Sequence, residues 1–166
     1  MSRSSVRRSF GGEGGFALTD DEVFFLRELV RSGTKFMMVG MAAANLQGCD
    51  KGTSDIDLWF KTTSDGGLDS AARSVGGMFV WRADPPTLTG RALVRVDVVN
   101  RCHGLDSFSR EYEGALDVVI EDFAVKMLPL DRIIVNKTAA NRPKDRLALS
   151  ALNAALLGQR IMTKKR

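Results

Sequence analysis

The order of elements in this chain predicts an α+β fold: an α/β sandwich in which a mixed β-sheet is flanked by helices and the C-terminus is helical. Two observations carry the prediction. In the first two thirds, short β-branched and aromatic runs alternate with helical spacing, whereas residues 130–157 keep helical spacing alone. A third observation bounds the size: 166 residues, 44% hydrophobic and 27% charged, suit one domain with a core of its own.

The elements follow in order. Residues 1–17 are rich in Arg, Ser and Gly and are expected to be a disordered leader. The first helix starts at Thr19, with Glu22 three residues on as a capping box. Val23, Leu26, Leu29 and Val30 give it an apolar face, and Gly33 ends it. Residues 36–39 are a buried strand, Gly40 a turn, and 41–46 a short helix. The next strand runs to Phe60 through Ile56, Leu58 and Trp59. Residues 64–77 predict a helix weakened by glycine, 79–82 a third strand, and Asp84-Pro85-Pro86 the start of a loop.

Residues 93–99 are almost wholly β-branched at their centre and predict one more strand. A helical turn over 108–112 follows, then a hairpin of 118–120 and 123–128 around Glu121-Asp122. Two helices close the domain, 130–140 and 143–157, with Pro143 suited to a first helical turn. The domain is expected over 18–158, with 159–166 a basic tail.

Composition excludes several classes of function. The net charge of +4 sits largely at the ends, in Arg3, Arg7, Arg8, Lys164, Lys165 and Arg166, which reads as solvated tails rather than a nucleic-acid stripe. Two cysteines, Cys49 and Cys102, and one histidine, His103, lack the spacing for zinc or for a Cys/His nucleophile. Free thiols fit a reducing compartment, so a cytoplasmic location is expected. No apolar run approaches the roughly 20 residues of a membrane span.

The chemistry is carried by aspartates. Asp55 and Asp57 lie two apart on a strand, so they share a face at a separation of roughly 6.5–7 Å. Two acids on one face repel unless a cation joins them, and oxygen ligands suit a hard divalent ion such as Mg²⁺ or Mn²⁺. Asp97 interrupts another strand. If that strand lies beside the first, three carboxylates face one site, the arrangement that serves two ions about 3.5–4 Å apart in phosphoryl displacement. Gly40, at the start of a helix, would let backbone N–H groups approach a phosphate. Its alternative role is a turn glycine needed only for backbone freedom.

Together, Val39-Gly40-Met41-Ala42, Gly48, Lys51-Gly52-Thr53-Ser54-Asp55-Ile56-Asp57-Leu58 and Val96-Asp97-Val98-Val99 resemble the signature of the nucleotidyltransferase superfamily that includes DNA polymerase beta. The likeness is greatest to the minimal and abortive-infection nucleotidyltransferase-like proteins. It extends through Leu130-Asp131-Arg132-Ile133-Ile134-Val135-Asn136-Lys137 and Asn141-Arg142-Pro143-Lys144-Asp145, covering residues 34 to 152.

The resemblance implies Mg²⁺ held by Asp55, Asp57 and Asp97, with Asp97 also helping to activate an acceptor hydroxyl. It implies nucleotide contacts from Gly40, Met41, Lys51, Thr53 and Lys137. The expected reaction moves a nucleotidyl group, AMP by preference, from an NTP to a hydroxyl on a protein or RNA, within a toxin–antitoxin pair in which a partner toxin or a tRNA is modified. Two positions depart from the pattern: Met41 stands where the family has a small residue, and Lys51 where it has arginine. The Met41 departure supports an alternative, a catalytically degenerate module that binds and neutralises a partner protein.

Overall fold

The computed structural model describes residues 4–6 and 16–166. Its strands and helices, in chain order, are β1 (Ser4–Val6), α1 (Asp20–Arg31), β2 (Phe36–Val39), α2 (Gly40–Asn45), β3 (Ile56–Phe60), α3 (Gly67–Ser74), β4 (Met78–Val80), β5 (Thr87–Thr89), β6 (Val96–Val99), α4 (Phe108–Glu113), β7 (Leu116–Ile120), β8 (Phe123–Met127), α5 (Leu130–Ala140) and α6 (Pro143–Lys164). The main sheet is mixed, in the order β1-β7-β8-β2-β3-β6, and β4 and β5 form a separate pair. This is the α+β sandwich with a helical C-terminus that the element order predicts.

All four residues of β2 are buried, as a central strand covered on both faces requires. It runs antiparallel to β3 and parallel to β8, so its register with β3 sets Val39 opposite Asp57. On its far side β3 pairs in parallel with β6, with Asp57 opposite Asp97. Helix α1 has the expected capping box: Thr19 Oγ1 accepts the Glu22 N–H at 3.1 Å and Glu22 Oε2 accepts the Thr19 N–H at 2.8 Å. Helix α1 packs with α3, and α5 packs with both α2 and α6. The core between these layers is built from Phe25, Leu29, Met38, Leu58, Met127 and Ile133, each essentially without exposure.

The structure corrects several sequence expectations. The 93–99 strand is split: a 3-10 turn covers Arg91–Leu93, and only Val96–Val99 joins the sheet. The break comes at Arg95, whose guanidinium donates to both carboxylate oxygens of the buried Glu22, at 2.8 and 2.7 Å. The Arg95 carbonyl accepts the Ile56 N–H at 2.7 Å, so the same residue pins β6 against the start of β3. The expected 84–86 loop opens into β5, which returns against β4 as a hairpin. The third strand stops at Val80; Trp81 is 64% exposed, with the Arg82 guanidinium over its ring.

The 159–166 tail is mostly helix. Helix α6 continues to Lys164, and the Gln159 amide donates to the Gln47 carbonyl at 3.2 Å. Most of the expected leader lies outside the described residues. Within it, Ser4–Val6 pairs in parallel with β7 and so forms one edge of the sheet. Phe16 is buried beneath the Arg95 guanidinium, so core packing starts before residue 18.

Candidate active site

The site lies where β2, β3 and β6 meet the α5–α6 turn. Chain direction builds it: β2 ends at Val39, and the chain turns sharply at Gly40, φ +68°, into α2. Because Val39 pairs with Asp57, Gly40 lies directly over the Asp57 side chain. A Cβ at Gly40 would stand 2.5 Å from Asp57 Oδ2, far inside contact distance. The positive φ favours glycine, whereas the close approach falls on the far end of the Asp57 side chain, which an added Cβ would turn aside. No side chain caps the first amides of α2.

Asp57 and Asp97 are opposite partners in parallel register, whereas Asp55, expected on the same strand, is exposed in the turn just before β3 begins at Ile56. Among the described residues, neither Asp57 nor Asp97 has a side-chain hydrogen-bond or ion-pair partner. Burial, then the Asp97 charge, pushes the Asp57 carboxyl above its ordinary value. Burial and the Asp55 charge do the same to Asp97. The lysines at 137 and 144 partly oppose the rise at Asp57. Thr53 Oγ1 accepts the Asp55 N–H at 3.2 Å, which fixes the turn that presents Asp55. Among the described residues, no group of three or more Asp, Glu, Cys or His side chains is gathered closely enough to hold a metal ion, so the expected trio of Asp55, Asp57 and Asp97 does not close on one point in this structure.

These acids open into a cavity of about 710 Å³ that is also lined by Gly40, Met41, Lys51, Thr53 and Lys137. Every site residue expected from the sequence therefore reaches one cavity. Met41 forms part of its wall and is half-buried. Lys51 holds its place through its carbonyl, which accepts the Asn45 amide at 2.7 Å.

Lys137 is engaged in a way the sequence did not reveal. Its Nζ donates to the buried Asp145 at 3.2 Å, and the Arg142 Nε donates to the other oxygen at 2.7 Å. Burial alone would raise the Asp145 carboxyl, but the hydrogen bonds from Arg142 and Lys137 outweigh it and hold it down to about 2. This cluster fastens the end of α5 to the start of α6 behind the aspartates.

Arg101, Cys102 and His103, on the segment after β6, also line the cavity. Their number and spacing exclude Cys102 and His103 from zinc and Cys/His nucleophile chemistry, and the sequence does not place them beside the aspartates. Only their closeness to Asp97, which ends in the same strand-to-loop passage, could have drawn attention to them. Cys102 is buried, and burial with the nearby Asp57 charge pushes its thiol up to about 12.

No family model matches the chain, and no curated protein matches it significantly. Among solved structures it is similar to ANT(2″)-Ia in its crystal structure with adenylyl-2″-tobramycin, at 16% identity and a TM-score of 0.57. That similarity covers 85% of this chain and 90% of the other. The fold is nucleotidyltransferase-like. Among the described residues, no helix is long and apolar enough to cross a membrane.

Proposed function

We propose that this chain is a nucleotidyltransferase that moves a nucleotidyl group, AMP by preference, from an NTP to an acceptor hydroxyl. The observation that carries the reading is the register pair Asp57–Asp97, two unpartnered carboxylates beneath the Gly40 turn in a cavity large enough for a nucleotide. The adenylylated product bound to the structurally similar ANT(2″)-Ia supports the AMP preference.

The donor set fits Mg²⁺ or Mn²⁺. Asp57 and Asp97 are hard oxygen donors whose mutual repulsion a dication relieves. Mg²⁺ is commonly held by one or two carboxylates plus substrate phosphates, and the register pair Asp57–Asp97 offers two. Asp57 and Asp97, with Asp55 on the same cavity wall, would hold the ion, which would supply charge neutralisation at the triphosphate.

The chain's own groups account for the remaining steps. The Gly40–Met41 amides receive phosphate oxygens, and Lys51 and Lys144 stand by as cations along the same cavity. The acceptor hydroxyl attacks the α-phosphorus, its proton passes to Asp97, and pyrophosphate leaves. A carboxyl raised above its ordinary value is the better base for that proton. Lys137 acts through Asp145 as a positioning residue.

The acceptor side argues against a polycation such as tobramycin. Lys51, Arg101 and Lys144 line the cavity without acidic ion-pair partners among the described residues. A hydroxyl on RNA or on an acidic protein surface suits them better, and the toxin–antitoxin setting rests on the sequence resemblance alone.

The test is label transfer from α-labelled ATP with Mg²⁺, to an RNA fraction and to a protein fraction separately. Asp57→Asn and Asp97→Asn should each lower transfer by about 100-fold or more. Transfer that survives the double change refutes the mechanism. An absence of both ATP binding and transfer selects the second reading, a catalytically degenerate module that binds a partner protein, with Met41 in its cavity wall.

A further inference from the structure

Helix α6 buries Asp145, Ala148 and Leu152 against the body, yet its opposite side is also apolar. Leu147 is 72% exposed, Leu157 60% and Ile161 46%. Exposed Ser150 and Ala154 lie between them. The steps from 147 to 150, 154, 157 and 161 alternate three and four residues, the seam of a two-stranded coiled coil. The seam is about 21 Å long, and its small central residues let a second helix come close. Its charges have one sign: Arg146 and Arg160 are exposed along one flank and Lys164 is exposed at the next seam step, while the one acid of α6, Asp145, is buried beneath the helix.

The geometry points to a docking surface on α6 for an amphipathic helix of a different protein, one with leucine-like residues on its seam and acidic residues on its flanks. Charge decides the occupant. A second copy of α6 would set basic flanks against basic flanks, and like charges at those positions oppose pairing. An acidic-flanked helix pairs with them. The surface lies outside the nucleotide cavity except at its N-terminal turn, so the inference stands apart from the proposed transfer activity.

The full chain is titrated with two fluorescent peptides of about three heptads, both with leucine seams, one with glutamate flanks and one with lysine flanks. Binding is followed by anisotropy. The glutamate peptide should bind at least about tenfold more tightly, and its affinity should fall as NaCl rises from about 0.05 to 0.5 M. Leu157→Glu/Ile161→Glu should abolish binding while the thermal transition stays unchanged, because both side chains are exposed. Arg146→Glu/Arg160→Glu should reverse the preference between the two peptides.

Equal binding of both peptides, or none at about 100 µM, overturns the proposal. So does sedimentation showing a dimer that Leu157→Glu/Ile161→Glu dissolves, since a second copy then covers the face. Co-sedimentation with phosphatidylserine-containing vesicles in the absence of peptide binding would overturn it in favour of a lipid surface.

Discussion

Replacing Gly40 with alanine separates two reasons for a glycine, and the structure assigns a magnitude to each. At φ +68° an alanine carries the left-handed penalty of roughly 1–2 kcal/mol. Its Cβ would also stand 2.5 Å from Asp57 Oδ2. Oδ2 is the far end of a flexible side chain and Asp57 Cγ stays at 3.4 Å, so turning the carboxylate relieves the contact at about 0.5–1.5 kcal/mol. The total is roughly 1.5–3.5 kcal/mol. Gly33 is the internal reference: its φ is +78°, and nothing lies within 4 Å of an added Cβ. Gly33→Ala should therefore cost only the backbone share.

The assay is urea unfolding of Gly33→Ala, Gly40→Ala, Asp57→Ala and the Gly40→Ala/Asp57→Ala double variant, compared as a cycle. Asp57→Ala removes the atom that Gly40 approaches. In that background the cost of Gly40→Ala should fall to the Gly33→Ala value. If Gly40→Ala costs the same with and without the Asp57 carboxylate, the close approach is irrelevant and Gly40 is a turn glycine alone. A matching change in ligand response is expected. Gly40→Ala should lose the rise in melting temperature that ATP with Mg²⁺ gives the parent chain, whereas Gly33→Ala should keep it.

Other outcomes follow from the same geometry. Asp57 and Asp97 sit above their ordinary 3.8 in the fold, so the folded state holds protons that the unfolded state has released. Without divalent ions, stability should fall as pH rises from about 4 through the raised values, and Asp57→Asn/Asp97→Asn should flatten that slope in thermal melts. Asp145 has the opposite sign: held down to about 2, it stabilises the fold above its unfolded value and loses that contribution as pH falls from 3.8 towards 2. Asp145→Ala should cost about 3–5 kcal/mol in urea unfolding, because it leaves the buried Lys137 unpaired. At pH 8 the Cys102 thiolate fraction should be about 10⁻⁴, so mass spectrometry after iodoacetamide should find it unmodified in the native chain and alkylated in urea.

The sequence displayed the aspartates and the Gly40 turn because both are local. A carboxylate two residues from another on a strand must share its face, and a glycine between a buried strand and a helix is visible by position. The pairing of Asp57 with Asp97 was legible only as a condition, since strand adjacency depends on the whole sheet. The break before β6 was not legible. Residues 93–99 satisfy strand propensity, but Arg95 is drawn out of strand order by Glu22, 73 positions away in the chain. The length of α6 escaped for a related reason: a basic, exposed end carries no apolar stripe against the body, although nothing after Gly158 stops a helix.

Lys137 shows what a local reading cannot supply. On α5 it reads as a lone cation facing a nucleotide, and it does line the cavity. Its charge, however, is already shared with Asp145, which Arg142 also holds. A lysine so committed has less charge to offer a phosphate than the unpaired Lys51 and Lys144 in the same wall. Two substitutions at position 137 separate the roles. If Lys137 mainly positions the α5–α6 turn, Lys137→Met should lower stability and the Asp145-linked pH response together, with a smaller effect on ATP affinity than Lys144→Met. If it holds phosphate directly, Lys137→Arg should keep the fold while ATP affinity falls, because the fork geometry of arginine does not reproduce an ammonium at that point. Calorimetric ATP titration beside urea unfolding distinguishes the two. A Lys137→Met chain of parent stability that no longer binds ATP would refute the positioning role.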